Sequence, residues 1–370
     1  MPRLDVPSVR AVSTDDSLTA RFDPRANSLD LLRLSLAVFV ALAHGTQIAY
    51  GHQPRFGHTD LGALAVDGFF VLSGFLVAGS FLRLGSPARY AWHRALRILP
   101  GFWLCLVSTA LVVAPVLAVL EGGGPEEVFF GERSSFWYAA DNAFLMIRDY
   151  AVAGLPTGTR TPGVINGSLW TLWFEAVCYV LVVVLGVVGA LRPGRRRLLV
   201  VLACVGPGLF LVAQEIWGVE LSGGRYMRFF FMFLLGTLAL LYGRRLPMRG
   251  GYAWGALAVV VLSVFLLRDY RPLGGVAFAY LMLWAVVGTP WLRRPLPWDL
   301  SYGVYVYHWP IATILTTAGT GALPVPVHLL LLMVVTGAVA VMSWLLVERP
   351  ALQHKDAVLP FVRVAKAAAD

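Results

Sequence analysis

The sequence predicts an all-α, polytopic integral membrane protein of about ten transmembrane helices, and three observations carry that expectation. The 370 residues are 58% hydrophobic and only 14% charged, with a mean hydropathy of +0.70. A water-soluble domain of this length needs far more charge on its surface. The charges are also clustered, so that 104–120, 176–191, 198–213, 229–242, 251–267 and 272–292 contain no Asp, Glu, Lys or Arg. Such runs approach the ~20 apolar residues that a helix needs to cross a bilayer core. The uncharged stretch 300–347 is too long for one crossing, and "GTGALPVPV" at 319–327 supplies a turn inside it.

The ten helices are expected at 31–50, 61–82, 97–120, 168–190, 198–217, 226–243, 251–267, 272–290, 299–318 and 327–347. They make one transmembrane domain, 28–350, between a polar tail, 1–27, and a short tail, 351–370. The first tail is expected to be disordered, and no cleavable signal peptide is evident in it. No second folded domain is expected. An even number of helices puts both ends on one side, and basic residues favour the cytoplasm. With both tails inside, 22 of the 30 Lys and Arg fall in cytoplasmic segments, from Arg3, Arg10, Arg21 and Arg25 through Arg293 and Arg294 to Arg363 and Lys366. The plasma membrane is the expected location, and the net charge of +9 is mostly a topology signal. Membrane lipids are therefore the expected surroundings, with no nucleic acid partner. The loop 121–167 falls outside. Cys105, Cys178 and Cys204 lie in apolar spans without CxxC spacing, as core residues rather than disulfides or metal ligands. No metal site and no internal repeat is expected, and the oligomeric state is not legible.

The first helix opens on "NSLD", with Asn27 as cap and Asp30 three residues on. It carries Arg33 and His44, eleven positions apart. Eleven steps of ~100° fall within about 20° of three turns, so both share a face, roughly 16 Å apart. Arg33 alone reads as a snorkelling anchor and His44 as a helix-packing contact, yet ionisable groups inside a membrane are often functional. The second helix, "VDGFFVLSGFLVAGSFLR", places Asp67 early and Ser73 near its middle. Ser73 is not in a GxSxG elbow and reads poorly as a nucleophile. Gly68 and Gly74 let a second helix, or a thin ligand arm, approach closely.

"RYAWHRALRILPGFW" (89–103) puts Arg94 and Arg97 three apart, on one face, at the start of the third helix. Taken alone they are a positive-inside cluster; aligned at a helix N-terminus they also suit phosphate. Pro100 is tolerated best near a helix start. "NGSLWTLWFEAVCYVL" (166–181) opens the fourth helix, with Trp170 and Trp173 at the interface. Glu175 stands roughly 10 Å below the surface, at the depth of His44. A carboxylate beside a buried imidazole suits acid/base work. The sequon at Asn166 reads as accidental. "DLSYGVYVYHWPI" (299–311) sets His308 mid-membrane with Ser301 and Tyr305 on its face, and Glu348 in "VERP" ends the last helix.

Together these stretches resemble the acyltransferase-3 family of integral membrane acyltransferases. The Arg, ten residues, His pattern is matched by Arg33 and His44. "DGFFVLSGFL", "RALRILP", "SLWTLWFEAVCY", "SYGVYVYHWPI" and "VERP" match in type and order, over about 27–350. Ala176 stands where members commonly show a second acidic residue, so paired carboxylates are not expected there. Some members add an SGNH esterase-like domain, for which this sequence has no counterpart. The resemblance implies transfer of an acyl group, usually acetyl, from cytoplasmic acyl-CoA to a hydroxyl of an envelope glycan or glycolipid. It implies His44 as catalytic base, with Glu175 orienting or charging it. Arg33, Arg94, Arg97 and Ser73 would hold the donor; Asp30, Asp67, Tyr305 and His308 would line the site.

Whether His44 is itself transiently acylated stays open. So does cytoplasmic acylation of a small molecule such as a macrolide, which some members perform. A transporter or flippase of a lipid-linked sugar or an organic acid also uses charges inside helices. Against it stand the missing repeat and the arginine pair. A structural subunit would not need His44, Glu175 and His308 in lipid.

Overall fold

The structure is a computed structural model, and it describes residues 16–24, 26–131, 133–218, 221–288 and 296–357. Arg3, Arg10, Arg25, Arg293, Arg294, Arg363 and Lys366, which contribute to the topology reading, lie outside the described residues. The same holds for most of the tails, at 1–15 and 358–370.

The chain folds as a helical bundle. After a single turn, α1 (Leu18–Arg21), come α2 (Leu29–Tyr50), α3 (Leu61–Leu84) and α4 (Pro87–Ser108). A π-helical turn at Thr109–Val113 joins α4 to α5 (Ala114–Leu120), making one long rod. The short α6 (Ser135–Asp141) precedes α7 (Thr171–Val187), α8 (Leu198–Trp217) and α9 (Gly224–Tyr242). Then follow α10 (Gly250–Leu266), α11 (Arg271–Gly288), α12 (Ser301–Thr317), α13 (Val325–Ser343) and α14 (Arg349–Gln353). A two-stranded hairpin pairs Arg55–Phe56 with Thr59–Asp60. Among the described residues, seven helical stretches are long and apolar enough to cross a membrane by length and composition. α7 and α10 are shorter apolar helices.

Among the described residues each expected span contains a helix, and the largest shift of a boundary is at the third. The third helix begins ten residues early, because Ser86 caps it by accepting from Arg89 N and Pro87 occupies the first turn. The expected Asn27 cap is one residue out of place: Ser28 is the cap, while Asn27 Oδ1 accepts from Leu29 N at 3.0 Å. The disorder expected of the first tail does not extend over 16–24. Leu18 is fully buried and pairs its backbone with Leu246. Arg21 and Arg249 both clasp Asp16 and hold its carboxyl below the usual carboxylate range.

α12 is the central helix, buried at every residue from Ser301 to Thr313. α2 packs between it and α3, and α3 in turn packs on α9. That last contact explains Gly74. A Cβ there would lie 1.8 Å from the Phe233 carbonyl oxygen, and one at Gly236 would lie 1.9 Å from that of Val71. The two backbones touch, as small residues permit in membrane helices, and Thr237 Oγ1 donates to Gly74 O across the contact. Gly74→Ala is therefore expected to destabilise by about 1–3 kcal/mol or more, read as a lower unfolding temperature in detergent. The outer helices do the opposite with their apolar residues. Leu202, Leu209 and Ile216 of α8, Trp254, Leu262 and Leu266 of α10, and Leu330, Val334 and Leu346 along α13 and beyond are exposed. A belt of this kind suits lipid, not water.

Candidate active site

Arg33 and His44 mark two ends of α2, and the structure builds a separate centre at each. At the arginine end, Arg33 Nη1 and Arg97 Nη2 converge on one oxygen, Asp299 Oδ2, at 3.1 and 2.7 Å. Ser301 Oγ donates to the other oxygen at 2.7 Å. Asp299 thus ties α2 and α4 to the start of α12. Arg94, one helical turn before Arg97, has no such carboxylate. It reaches Ser80 Oγ at 3.5 Å and lies over the Tyr179 ring, and its Nε is buried without a partner among the described residues.

These arginines open onto a cavity of ≈ 130 Å³. Arg33, Arg94 and Arg97 line one end; Ser73, Glu175 and Tyr179 the middle; Phe69, Thr171 and Tyr305 the far end. The space admits a slender chain, and a nucleotide would have to stay at the mouth. Along α3 the lining runs from Val77 to Val66, which is roughly 16 Å of helix rise.

At the histidine end, His44 Nδ1 and His308 Nε2 are 2.8 Å apart. The hydrogen-bond network assigns the protons. His308 Nδ1 lies 3.1 Å from the Val304 carbonyl, which can only accept, so that nitrogen carries the hydrogen. In neutral His308 the Nε2 lone pair then accepts from His44 Nδ1–H. His44 Nε2 is left with a bare lone pair, the form a general base requires. Trp309 caps the ring edge-on, with centroids 4.7 Å apart.

The helix carrying these groups has a visible anchor. Pro310 has no N–H to give the Val306 carbonyl four residues earlier. Asn166 Nδ2 fills that gap at 3.1 Å, and Cys105 Sγ reaches the same oxygen at 3.3 Å. Asn166 Oδ1 also accepts from Ser168 N and Oγ. The sequon is therefore a buried structural device, in keeping with its reading as accidental. Cys105, Cys178 and Cys204 are free and buried, and no metal-holding cluster occurs among the described residues.

Of the residues expected to form the site, Arg33, Arg94, Arg97, Ser73, Glu175 and Tyr305 line the cavity. His44 and His308 pair just beyond Tyr305, whose ring centre is 6.0 Å from that of His308. Three expectations need correction. Glu175 does not orient His44: its Oε1 accepts from Tyr179 Oη at 2.5 Å, and His308 holds the imidazole instead. Asp67 does not line the site, since Arg228 Nε, Arg271 Nε and Tyr270 Oη all bind it, at 2.8, 2.7 and 2.8 Å. Its carboxylate is consumed in joining α3, α9 and α11. Asp30, in the first turn of α2, does not line the cavity itself, although it is near enough to Asp299, Arg33 and Arg97 to feel their charges. Sequence reasoning passed over Asp299 and Asn166. Asp299 stands in the quoted "DLSYG", and Pro310 announces the orphan carbonyl that Asn166 satisfies.

The arrangement sets an arginine cluster at one end of a cavity and a paired imidazole beyond the Tyr305 end. The acyltransferase-3 family, described as an acyltransferase domain, matches residues 26–345. The chain belongs to the acyltransferase-3 family. Among the relatives of this acyltransferase domain is a Bacillus subtilis (strain 168) protein named "Putative peptidoglycan O-acetyltransferase YrhL". It is 26% identical over 297 residues, covering 70% of this chain and 44% of the relative. The chain thus spans less than half the length of that protein. An "O-acetyl transferase" of Shigella phage Sf6 is 26% identical over 274 residues, covering 69% of this chain and 74% of the relative. No solved structure matches.

Proposed function

We propose that this acyltransferase moves an acyl group, acetyl in the first instance, from acyl-CoA to a hydroxyl of an envelope glycan or glycolipid. The observation that carries the reading is the bare Nε2 of His44, fixed by His308 beside Tyr305, which lines a cavity that three arginines line at its other end. The relatives' names favour O-acetylation, and for the Bacillus relative the named acceptor is peptidoglycan.

In this mechanism the arginine end faces the cytoplasm and receives the donor's phosphates, which stay at the mouth. Ser73 and the apolar lining guide the pantetheine arm inward, bringing the thioester carbonyl toward Tyr305. His44 Nε2 takes the proton of the acceptor hydroxyl as its oxygen attacks that carbonyl. His308 Nε2 accepts from the imidazolium formed, a bond that strengthens with the charge. When the C–S bond breaks, the thiolate recovers the proton. Direct transfer needs no acyl-enzyme.

Sealed vesicles of known orientation test this reading, with labelled acetyl-CoA at the arginine face and a lipid-linked glycan at the other. Labelled glycan is expected only when both compartments are filled correctly. Transfer that needs both substrates on the arginine side would replace the trans-membrane reading with acylation of a soluble small molecule.

The arginines are expected to differ. Arg97 already has Asp299, whereas Arg94 is free of a carboxylate, so Arg94→Gln should weaken donor binding more than Arg97→Gln. A lost charge-assisted bond is worth roughly 1.5–3 kcal/mol, or about ten- to a hundredfold in Kd. Direct binding of acetyl-CoA to the two purified variants measures it. Equal, small changes would return Arg94 to a topology marker.

A further inference from the structure

At the far end of the cavity two hydroxyls meet. Tyr305 Oη of α12 and Thr171 Oγ1, on the first residue of α7, are 2.5 Å apart, and both side chains are buried. The proton positions follow from the neighbours. Thr171 Oγ1 lies 3.3 Å from the Ser168 carbonyl, which can only accept, and in the network that satisfies this contact its single hydrogen points there. Tyr305 therefore donates to Thr171. Its phenol O–H is parked on a threonine at the wall of a cavity it lines.

Its position relative to the base is fixed by the helix. Tyr305 precedes His308 by three residues, and three steps of ~100° leave both on one side of α12. Phe69 braces the tyrosine ring edge-on at 5.7 Å. Tyr305 thus both lines the cavity and lies ring to ring with His308 at 6.0 Å.

We propose that Tyr305 is a catalytic residue, whose O–H binds the thioester carbonyl oxygen as that oxygen becomes an anion. The inference rests on the acyl-transfer reading above. As the acceptor oxygen bonds to the carbonyl carbon, its proton passes to His44 Nε2. The C=O π pair moves onto oxygen. The Tyr305 O–H swings from Thr171 to that oxygen and keeps its own proton throughout. Collapse restores the C=O bond and expels the thiolate, which takes the proton from His44. Thr171 is the positioning residue, holding the phenol at the end of the passage until a carbonyl arrives. A neutral thioester oxygen is a weak acceptor and the anion a strong one, so the bond is worth most in the transition state.

The test is Tyr305→Phe in the purified full-length protein, with labelled acetyl-CoA and a lipid-linked glycan. The expected result is a fall in kcat of roughly 10²–10³-fold, with KM for acetyl-CoA within about twofold and an unchanged unfolding temperature. A kcat within about twofold of wild type would overturn the inference. A ring-fluorinated tyrosine at position 305 keeps the fold where phenylalanine does not. The more acidic phenol is a stronger donor, so kcat should shift, whereas a packing role predicts no change and would overturn the proposal. Wild-type protein that moves no label overturns the acyl-transfer reading itself, a result distinct from loss in the variant alone.

Discussion

His44→Ala is expected to lose acyl transfer by roughly 10²–10⁴-fold, the range for a positioned general base, while still binding acetyl-CoA. The arginines proposed to hold the donor, Arg33, Arg94 and Arg97, lie toward the other end of α2, so removing the ring leaves that end intact. The companion variant is His308→Phe, which keeps a ring in the buried α12 but removes the acceptor for His44 Nδ1–H. His44 is then free to carry its hydrogen on either nitrogen, and the fraction with a bare Nε2 falls. That variant should lose part of the rate, less than His44→Ala does, with donor affinity unchanged. Product assays and direct acetyl-CoA binding on the same preparations separate the two quantities. Normal turnover in His44→Ala would remove it from the chemistry, and normal turnover in His308→Phe alone would mean that the network does not set the proton on His44.

The membrane fold was legible because lipid demands long uncharged helices, and composition records that demand directly. The Arg33 and His44 spacing was equally legible, since helix periodicity alone puts both on one face. Contacts between helices were not. Depth gave His44 and Glu175 the same level in the membrane, but level does not say which helix lies beside which. His308 sits closer because α2 packs on α12, and Glu175 on α7 is turned toward Tyr179. Asp67 failed as an expected site residue for the same reason: its partners Arg228 and Arg271 are more than 160 positions away. Local chemistry was overlooked at two places where it was readable. "SP" at Ser86 and Pro87 is a helix start, whereas the uncharged run that set the expected span begins only after Arg97. Pro310 signals a freed carbonyl at Val306, which needs a donor and finds it in Asn166.

Asp67→Ala should cost stability rather than chemistry, and the size follows from charge. The carboxylate is fully buried and receives hydrogen bonds from Arg228, Arg271 and Tyr270. Removing it leaves Arg271 with Asp269, 2.8 Å away. Among the described residues Arg228 keeps the Ala63 carbonyl at 3.0 Å and the face of Phe229. One guanidinium, 21% exposed, is then without a counter-charge, and breaking a buried pair costs at most about 3–5 kcal/mol. The unfolding temperature in detergent should fall sharply, and because α3 lines the cavity, activity should fall with it only near that lower temperature. Replacing Arg228 by Met in the same protein removes the orphaned charge as well. The pair Asp67→Ala with Arg228→Met should therefore be more stable than Asp67→Ala alone, a coupling that a double-mutant cycle reads directly. If Asp67 instead served the substrate, Asp67→Ala would keep the wild-type unfolding temperature and lose turnover under all conditions, and Arg228→Met would rescue nothing.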